Sequence, residues 1–170
     1  MASAPATPNG STPKFQPFFN RVQQSNDFDC AFACIAMLAG KTLEEVRQLA
    51  IAKFRHPKHG PYWITQELIT TLLMQYGLVG TVYKEASGIA SLPDVAIGMV
   101  EYNAETEIGR HVVFHRIPPS GTAKTATEYI IDPAYWVEPH QQVRTDIKGF
   151  PVYWYIGVHP VSKPGANAGK

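Results

Sequence analysis

A polar loop that runs into an apolar, alanine-rich helix constrains this chain more than any other segment. Residues 24–38 read QSNDFDCAFACIAML, and Asp29 is of a type that often precedes the first helical turn. Cys30 therefore falls in that first turn. Backbone N–H groups at a helix N-terminus lack partners within the helix and carry about half a positive charge, which favours a thiolate. The segment predicts a helix that begins with a nucleophilic thiol.

Gln24 and Cys34 lie on either side of this thiol. Gln24 is six residues before Cys30, on the loop that enters the helix. Its side-chain amide can reach back beside the Cys30 backbone N–H, and two donors aimed at one point form an oxyanion hole. The ordinary interpretation of a cysteine is a small buried hydrophobic residue. Cys34 fits that interpretation, and neighbouring helical turns hold two cysteines badly for a disulfide.

The composition is that of a single globular domain. The chain has 170 residues, of which 45% are hydrophobic, and its 15 basic residues nearly balance 14 acidic ones. This balance gives no support to a nucleic acid or an anionic membrane as the main partner. Two cysteines cannot build a disulfide framework, and no apolar stretch approaches the length that spans a bilayer. The N-terminal residues lack the apolar core of a Sec signal peptide, so we expect a cytoplasmic protein, or one exported by a non-Sec route.

The order of the predicted elements indicates the fold class. Residues 1–14 and 161–170 are small, polar and interrupted by proline, and are predicted to be disordered tails around a domain at 15–160. Helical periodicity predicts helices over 29–39, from a capping box at Thr42 to Phe54, and over 65–76. Strand-like runs follow at 78–83, 95–102, 111–117, 128–131 and 152–159. Helices first and strands second predict an α+β fold, with the helices packed on an antiparallel sheet.

A nucleophilic thiol needs a base and an acceptor that orients the base. The candidate bases are His56, His59, His111, His115, His140 and His159. His111 opens the strand HVVFH, and His115 lies on the same face by alternation. Asp132 ends the apolar run YIID before a proline, where a strand must stop. If the two strands are neighbours, Asp132 could accept from the imidazole, although Asp-Pro is also a common turn opener.

Five short stretches occur in a defined order: QSNDFDCAFAC (24–34), TLEEV (42–46), GL (77–78), GRHVV (109–113) and IDP (131–133). Together they resemble the bacteriocin-processing (double-glycine leader) cysteine peptidases, which have a papain-like fold. This resemblance implies that Gln24 is the oxyanion glutamine, Cys30 the nucleophile, His111 the base and Asp132 its orienter. It implies a protein or peptide substrate and no cofactor. Members often have glycine directly after the nucleophile, where this chain has Ala31.

Three other hypotheses stand beside hydrolysis of peptide bonds. The same triad can act on a side-chain amide, as in a deamidase or a transglutaminase-like effector or toxin that bacteria deliver into other cells. A papain-like domain whose site is not assembled can bind peptides without catalysis. His56 with His59, and His111 with His115, suggest a metal, but a strand does not give the helical geometry of zinc peptidases. We therefore predict no metal.

Tyr62 and Trp63 lie in a loop that is rich in proline, glycine and histidine. These two aromatic residues could line a substrate groove, or they could pack in the core or anchor the loop. The oligomeric state does not follow from the sequence.

Overall fold

Three helices precede the main sheet in the computed structural model, which describes residues 14–59 and 63–161. These helices are α1 (Cys30–Ala39), α2 (Leu43–Phe54) and α3 (Gln66–Gln75), and a short α4 (Pro139–Gln142) comes late in the chain. Apart from their innermost residues, Lys14 and Val161, the two predicted tails lie outside the described residues. Tyr62 lies outside them as well.

Within the described residues, the strands form one antiparallel sheet. They are β1 (Leu78–Gly80), β2 (Lys84–Glu85), β3 (Val95–Asn103), β4 (Ile108–Ile117), β5 (Thr127–Ile131), β6 (Val143–Arg144) and β7 (Trp154–Pro160). Their order across the sheet is β1-β7-β3-β4-β5-β6, and β2 also pairs with β7. The predicted α+β fold, with helices packed on an antiparallel sheet, is confirmed. The strand predicted at 78–83 ends earlier, at Gly80, and the short β2, β6 and α4 were not predicted.

The helix ends follow the sequence signals. Thr42 and Glu45 form the predicted capping box at the start of α2, in which each side chain accepts from the other residue's backbone N–H. Gly40 ends α1 in the left-handed conformation, with φ of 65°, which glycine adopts without steric cost. Among the described residues, no helix has the length and apolar character needed to cross a membrane.

Helix α1 is the central element of the core. Eight of its ten residues are buried, which is the pattern of a helix surrounded by other elements. It packs against β4, and the residues of β4 alternate between two cores. Val113 joins the core beneath the helices, whereas Val112 and Phe114 join a second core on the other face of the sheet. His111 and His115 share the face of Val113, so β4 turns His111 toward α1.

A β-bulge lies where β3 pairs with the start of β4. Val100 pairs with Arg110 and Asn103 with Ile108, so two residues of β3 oppose Gly109 alone. Glu101, in the bulge, has a φ of 52°. A Cβ atom on Gly109 would lie 2.6 Å from Met99 Cγ and 2.9 Å from the Val100 carbonyl oxygen. Only glycine fits here without displacing β3, two residues before His111.

We predict that Gly109→Ala lowers the free energy of unfolding by about 2 kcal/mol, because the added methyl group overpacks against the β3 backbone. It should also shift the backbone amide signals of β3 and β4 in NMR spectra. Gly121→Ala is the control for the NMR signals: nothing lies within 4 Å of a Cβ added there, so its φ of 59° makes any loss of stability a local backbone effect that should leave the β3 and β4 amide signals unchanged. Unchanged amide signals in Gly109→Ala would contradict the close approach described above.

Candidate active site

Cys30 and His111 meet where the N-terminus of α1 packs on β4. The Cys30 Sγ lies 3.3 Å from the His111 Nδ1. Cys30 is 3% exposed and His111 is 6% exposed, so the contact is largely shielded from water. His115, the other candidate on this strand, is directed elsewhere: its Nδ1 lies 2.7 Å from the Tyr129 hydroxyl. The structure therefore pairs the thiol with His111.

Asp29 precedes α1 as expected, but its carboxylate does not cap the helix. The carboxylate instead accepts from the Ser25 hydroxyl and lies 3.8 Å from the Arg47 Nε. Its backbone carbonyl still accepts from the Ala33 N–H, at 2.9 Å, which starts the helical ladder. The Asp29 side chain does not cap the first-turn N–H groups, and the Ala31 N–H favours the charged form of the Cys30 thiol.

Burial decides the protonation state of the pair. It raises the pKa of Cys30, although hydrogen bonds from the backbone N–H groups of His111 and Ala31 and the charge of Arg110 act in the opposite direction. Burial also lowers the pKa of His111 to about 4. At neutral pH the resting pair is therefore a thiol beside a neutral imidazole, not the thiolate that the helix N-terminus alone suggests. A neutral imidazole can accept the thiol proton, as a general base must.

Cys34 lies in the core, one helical turn after Cys30. It has no exposed surface and packs among the residues of the main cluster. Burial raises its pKa well above that of an ordinary thiol. Both cysteines are free, in agreement with the prediction that they do not form a disulfide.

The second nitrogen of His111 contacts a residue that the sequence analysis did not identify. The Tyr83 hydroxyl lies 2.6 Å from the His111 Nε2, and the two rings are inclined by only 27°. The backbone N–H of Tyr83 donates to the Gln66 side-chain oxygen at the start of α3, at 2.7 Å. Tyr83 follows β1 and belongs to no motif. The bond to Gln66 and the pairing of the adjacent Lys84 and Glu85 with β7 hold it at the site.

Asp132 directly follows β5, the strand next to that of His111, but its carboxylate bonds to Arg110. Both oxygens accept from the Arg110 Nη1, at 2.6 and 2.7 Å, and one also accepts from the Ala134 N–H at 3.0 Å. Arg110 also pairs with Glu101, at 2.7 Å. The expected hydrogen bond between Asp132 and His111 is therefore replaced by one between Asp132 and Arg110.

The strand register explains the position of Asp132. Val113 of β4 pairs with Ile131 of β5, so continuing the register sets Asp132 opposite Val112. Residues that oppose each other in an antiparallel pair have side chains on the same face. Asp132 thus shares the face of Val112 and Arg110, whereas His111 lies on the other face.

Gln24 is 1% exposed and is fastened to the segment that follows Asp132. Its backbone N–H donates to the Pro133 carbonyl at 2.9 Å, and its Nε2 donates to the Asn26 carbonyl at 2.8 Å. Within the described residues, its side-chain oxygen is buried without a hydrogen-bond partner. A primary amide has two N–H donors, so one of them remains beyond the bond to Asn26.

Trp63 lies beside the loop that leads to Cys30. Its ring packs edge to face on Phe28, with ring centroids 4.7 Å apart, and the side chain is 48% exposed. His56, one of the histidines considered for a metal, packs edge to face on Phe32, with ring centroids 5.1 Å apart. Across residues 14–59 and 63–161, no three histidine, cysteine or acidic side chains are grouped so as to hold a metal ion.

No model of a protein family matches this sequence, and no curated protein matches it either. Among solved structures, the chain is similar to the peptidase domain of Streptococcus ComA, described as a bi-functional ABC transporter involved in a quorum sensing pathway. The two chains share 15% sequence identity, and the alignment covers 84% of this chain and 98% of that one, with a TM-score of 0.49.

The pair of Arg110 and Asp132 yields a prediction about stability. Asp132→Ala should lower the free energy of unfolding by about 3 kcal/mol in urea titrations, because it leaves the partly buried guanidinium with Glu101 alone. Asp146→Ala removes the same group from an exposed pair with Arg144, and its unfolding midpoint should stay close to that of the parent protein. Equally small shifts of the unfolding midpoint in both variants would mean that the pair of Arg110 and Asp132 stabilises the fold no more than an exposed ion pair does.

Proposed function

We propose that this protein is a cysteine peptidase in which Cys30 is the nucleophile and His111 the general base. The observation that carries the proposal is the distance of 3.3 Å between Cys30 Sγ and His111 Nδ1, at a helix N-terminus. A thiol in the core has no need of a basic partner, and burying an imidazole costs free energy. The burial of an imidazole beside the thiol, despite its cost in free energy, supports the assignment of Cys30 and His111 as a catalytic pair.

The proposed reaction begins with the transfer of the Cys30 proton to His111 Nδ1 while Sγ attacks the carbonyl carbon of a peptide bond. The carbonyl oxygen becomes an oxyanion, which accepts from the Cys30 backbone N–H and from Gln24. His111 Nδ1 then gives its proton to the leaving nitrogen as the C–N bond breaks, and a thioester remains on Cys30. Water gives a proton to Nδ1 and attacks the thioester, so that the acid product leaves and the thiol is restored.

Gln24 is suited to the oxyanion because it is buried and held at its backbone. Its Nε2 uses one hydrogen for the Asn26 carbonyl and keeps a second for the substrate. Its main chain is fixed to Pro133, which limits movement of the loop that enters α1. A donor fixed before substrate arrives needs no reorganisation in the transition state. This role of Gln24 is the one that the sequence resemblance implies.

The proposed substrate is a peptide or an extended segment of a protein. Trp63 is exposed and packs on Phe28, two residues before Cys30, so it offers an apolar surface near the nucleophile. We propose that this surface contacts substrate side chains. The protein acts in the cytoplasm or after export by a non-Sec route, and the identity of the substrate will decide between the two.

The test is incubation with a proteome-derived peptide library, followed by mass spectrometry. We expect the parent protein to generate new peptide termini, and Cys30→Ser to generate none while remaining folded. Cys34→Ala is the matched control, since Cys34 is a core residue, and this variant should retain cleavage.

Other results would redirect the assignment. Glutamine side chains converted to glutamate without chain cleavage would replace peptidase activity with deamidation by the same thiol. Cleavage that persists in Cys30→Ser would exclude Cys30 as the nucleophile. Peptides that are retained but unchanged by the parent protein would indicate a binding module.

A further inference from the structure

We infer that Tyr83 is the positioning residue of His111, and that its hydroxyl oxygen accepts the Nε2–H proton while Nδ1 faces the Cys30 thiol. This inference rests on the proposed function. It assigns to Tyr83 the role of orienting His111, which the sequence resemblance implies for Asp132. The observation that carries it is the distance of 2.6 Å between the Tyr83 hydroxyl and His111 Nε2.

The two nitrogens of His111 have different partners, and this fixes the tautomer. The Cys30 thiol has a proton to give, so Nδ1 must present a lone pair to receive it. The neutral ring then carries its hydrogen on Nε2, and the Tyr83 oxygen is the acceptor that this hydrogen faces. After the thiol proton moves to Nδ1, both nitrogens are donors and the same hydroxyl still accepts from Nε2. The Tyr83 hydroxyl therefore accepts from Nε2 both before and after the proton transfer.

Tyr83 is held firmly enough to orient the ring. Its backbone N–H donates to Gln66 at the start of α3, and the following residues pair with β7. Its ring is nearly parallel to that of His111. Burial raises the pKa of Tyr83, so the hydroxyl stays neutral through the physiological range. The contact is therefore one between neutral groups in the resting protein.

Asp132 is engaged on the other face of the sheet. Its oxygens accept from Arg110 and Ala134, and the register of β4 and β5 sets it opposite Val112. A contact with His111 would require the carboxylate to leave Arg110 and cross to the other face. Asp132 instead fixes Arg110, whose charge lowers the pKa of Cys30.

A neutral acceptor has a chemical consequence. A carboxylate would stabilise an imidazolium strongly, whereas a hydroxyl stabilises it less. The proton of Cys30 is thus expected to move to His111 as the sulfur attacks, rather than in the resting protein. The hydroxyl sets which nitrogen is free to receive that proton.

The experiment is nitrogen-15 NMR of His111 near neutral pH, where the shifts of the two ring nitrogens report the tautomer. In the parent protein we expect the Nε2–H tautomer. Tyr83→Phe removes only the hydroxyl, and we expect it to shift the population toward the Nδ1–H tautomer and to lower kcat about tenfold, the size of one hydrogen bond. KM should change little, since Tyr83 is proposed to act through His111.

Tyr129→Phe is the matched control, because Tyr129 makes the same kind of contact with His115 on the same strand. It should leave the His111 shifts unchanged, and so should Asp132→Asn. The Nδ1–H tautomer in the parent protein would overturn the inference without any variant. A His111 tautomer that changes in Asp132→Asn but not in Tyr83→Phe would overturn it as well. Since the NMR signals do not depend on turnover, loss of the proposed peptidase activity is distinguishable from failure of this inference.

Discussion

The packing of α1 against β4 is the interaction on which the rest of the structure depends. The helix is apolar almost all round, and alanines at 31, 33 and 36 provide small side chains in the buried region. Because its first residue is Cys30, burying the helix also buries the thiol. The alternation of β4 then turns His111 toward that thiol. One packing contact between a helix and a strand therefore builds both the core and the candidate site.

Burial also sets the chemistry of the site. Within the described ranges, the polar or charged residues that are buried are Gln24, Asp29, His111 and Asp132. Gln24 donates to the Pro133 and Asn26 carbonyls, and Asp29 accepts from Ser25. His111 contacts the Tyr83 hydroxyl, and Asp132 accepts from Arg110. Such groups cost free energy to bury unless they are hydrogen-bonded. The same low polarity favours the neutral forms of thiol and imidazole and makes the orientation of His111 decisive.

Local signals in the sequence predict much of this arrangement. The capping box at Thr42, the left-handed Gly40 and the alternation around His111 each depend on neighbours in the chain, and the structure contains all three. Tyr83 could not be predicted in the same way, because a bond to Gln66 and a two-residue pairing with a distant strand hold it beside His111. The face of Asp132 depends on the register between β4 and β5, which the separate strand patterns do not specify. The bulge at Glu101, which helps to hold Arg110, likewise appears only when β3 and β4 are paired.

The most direct test of the central claim is the pH dependence of Cys30 alkylation by iodoacetamide, compared between the parent protein and His111→Leu. The leucine keeps the site buried and removes the imidazole nitrogen that lies 3.3 Å from the Cys30 Sγ and can take the thiol proton as the sulfur attacks. We therefore predict that the Cys30 labelling profile moves to higher pH in His111→Leu, while Cys34 in the core stays unlabelled in both folded proteins. Superimposable profiles, or Cys34 labelled as fast as Cys30, would contradict a functional pair of Cys30 and His111.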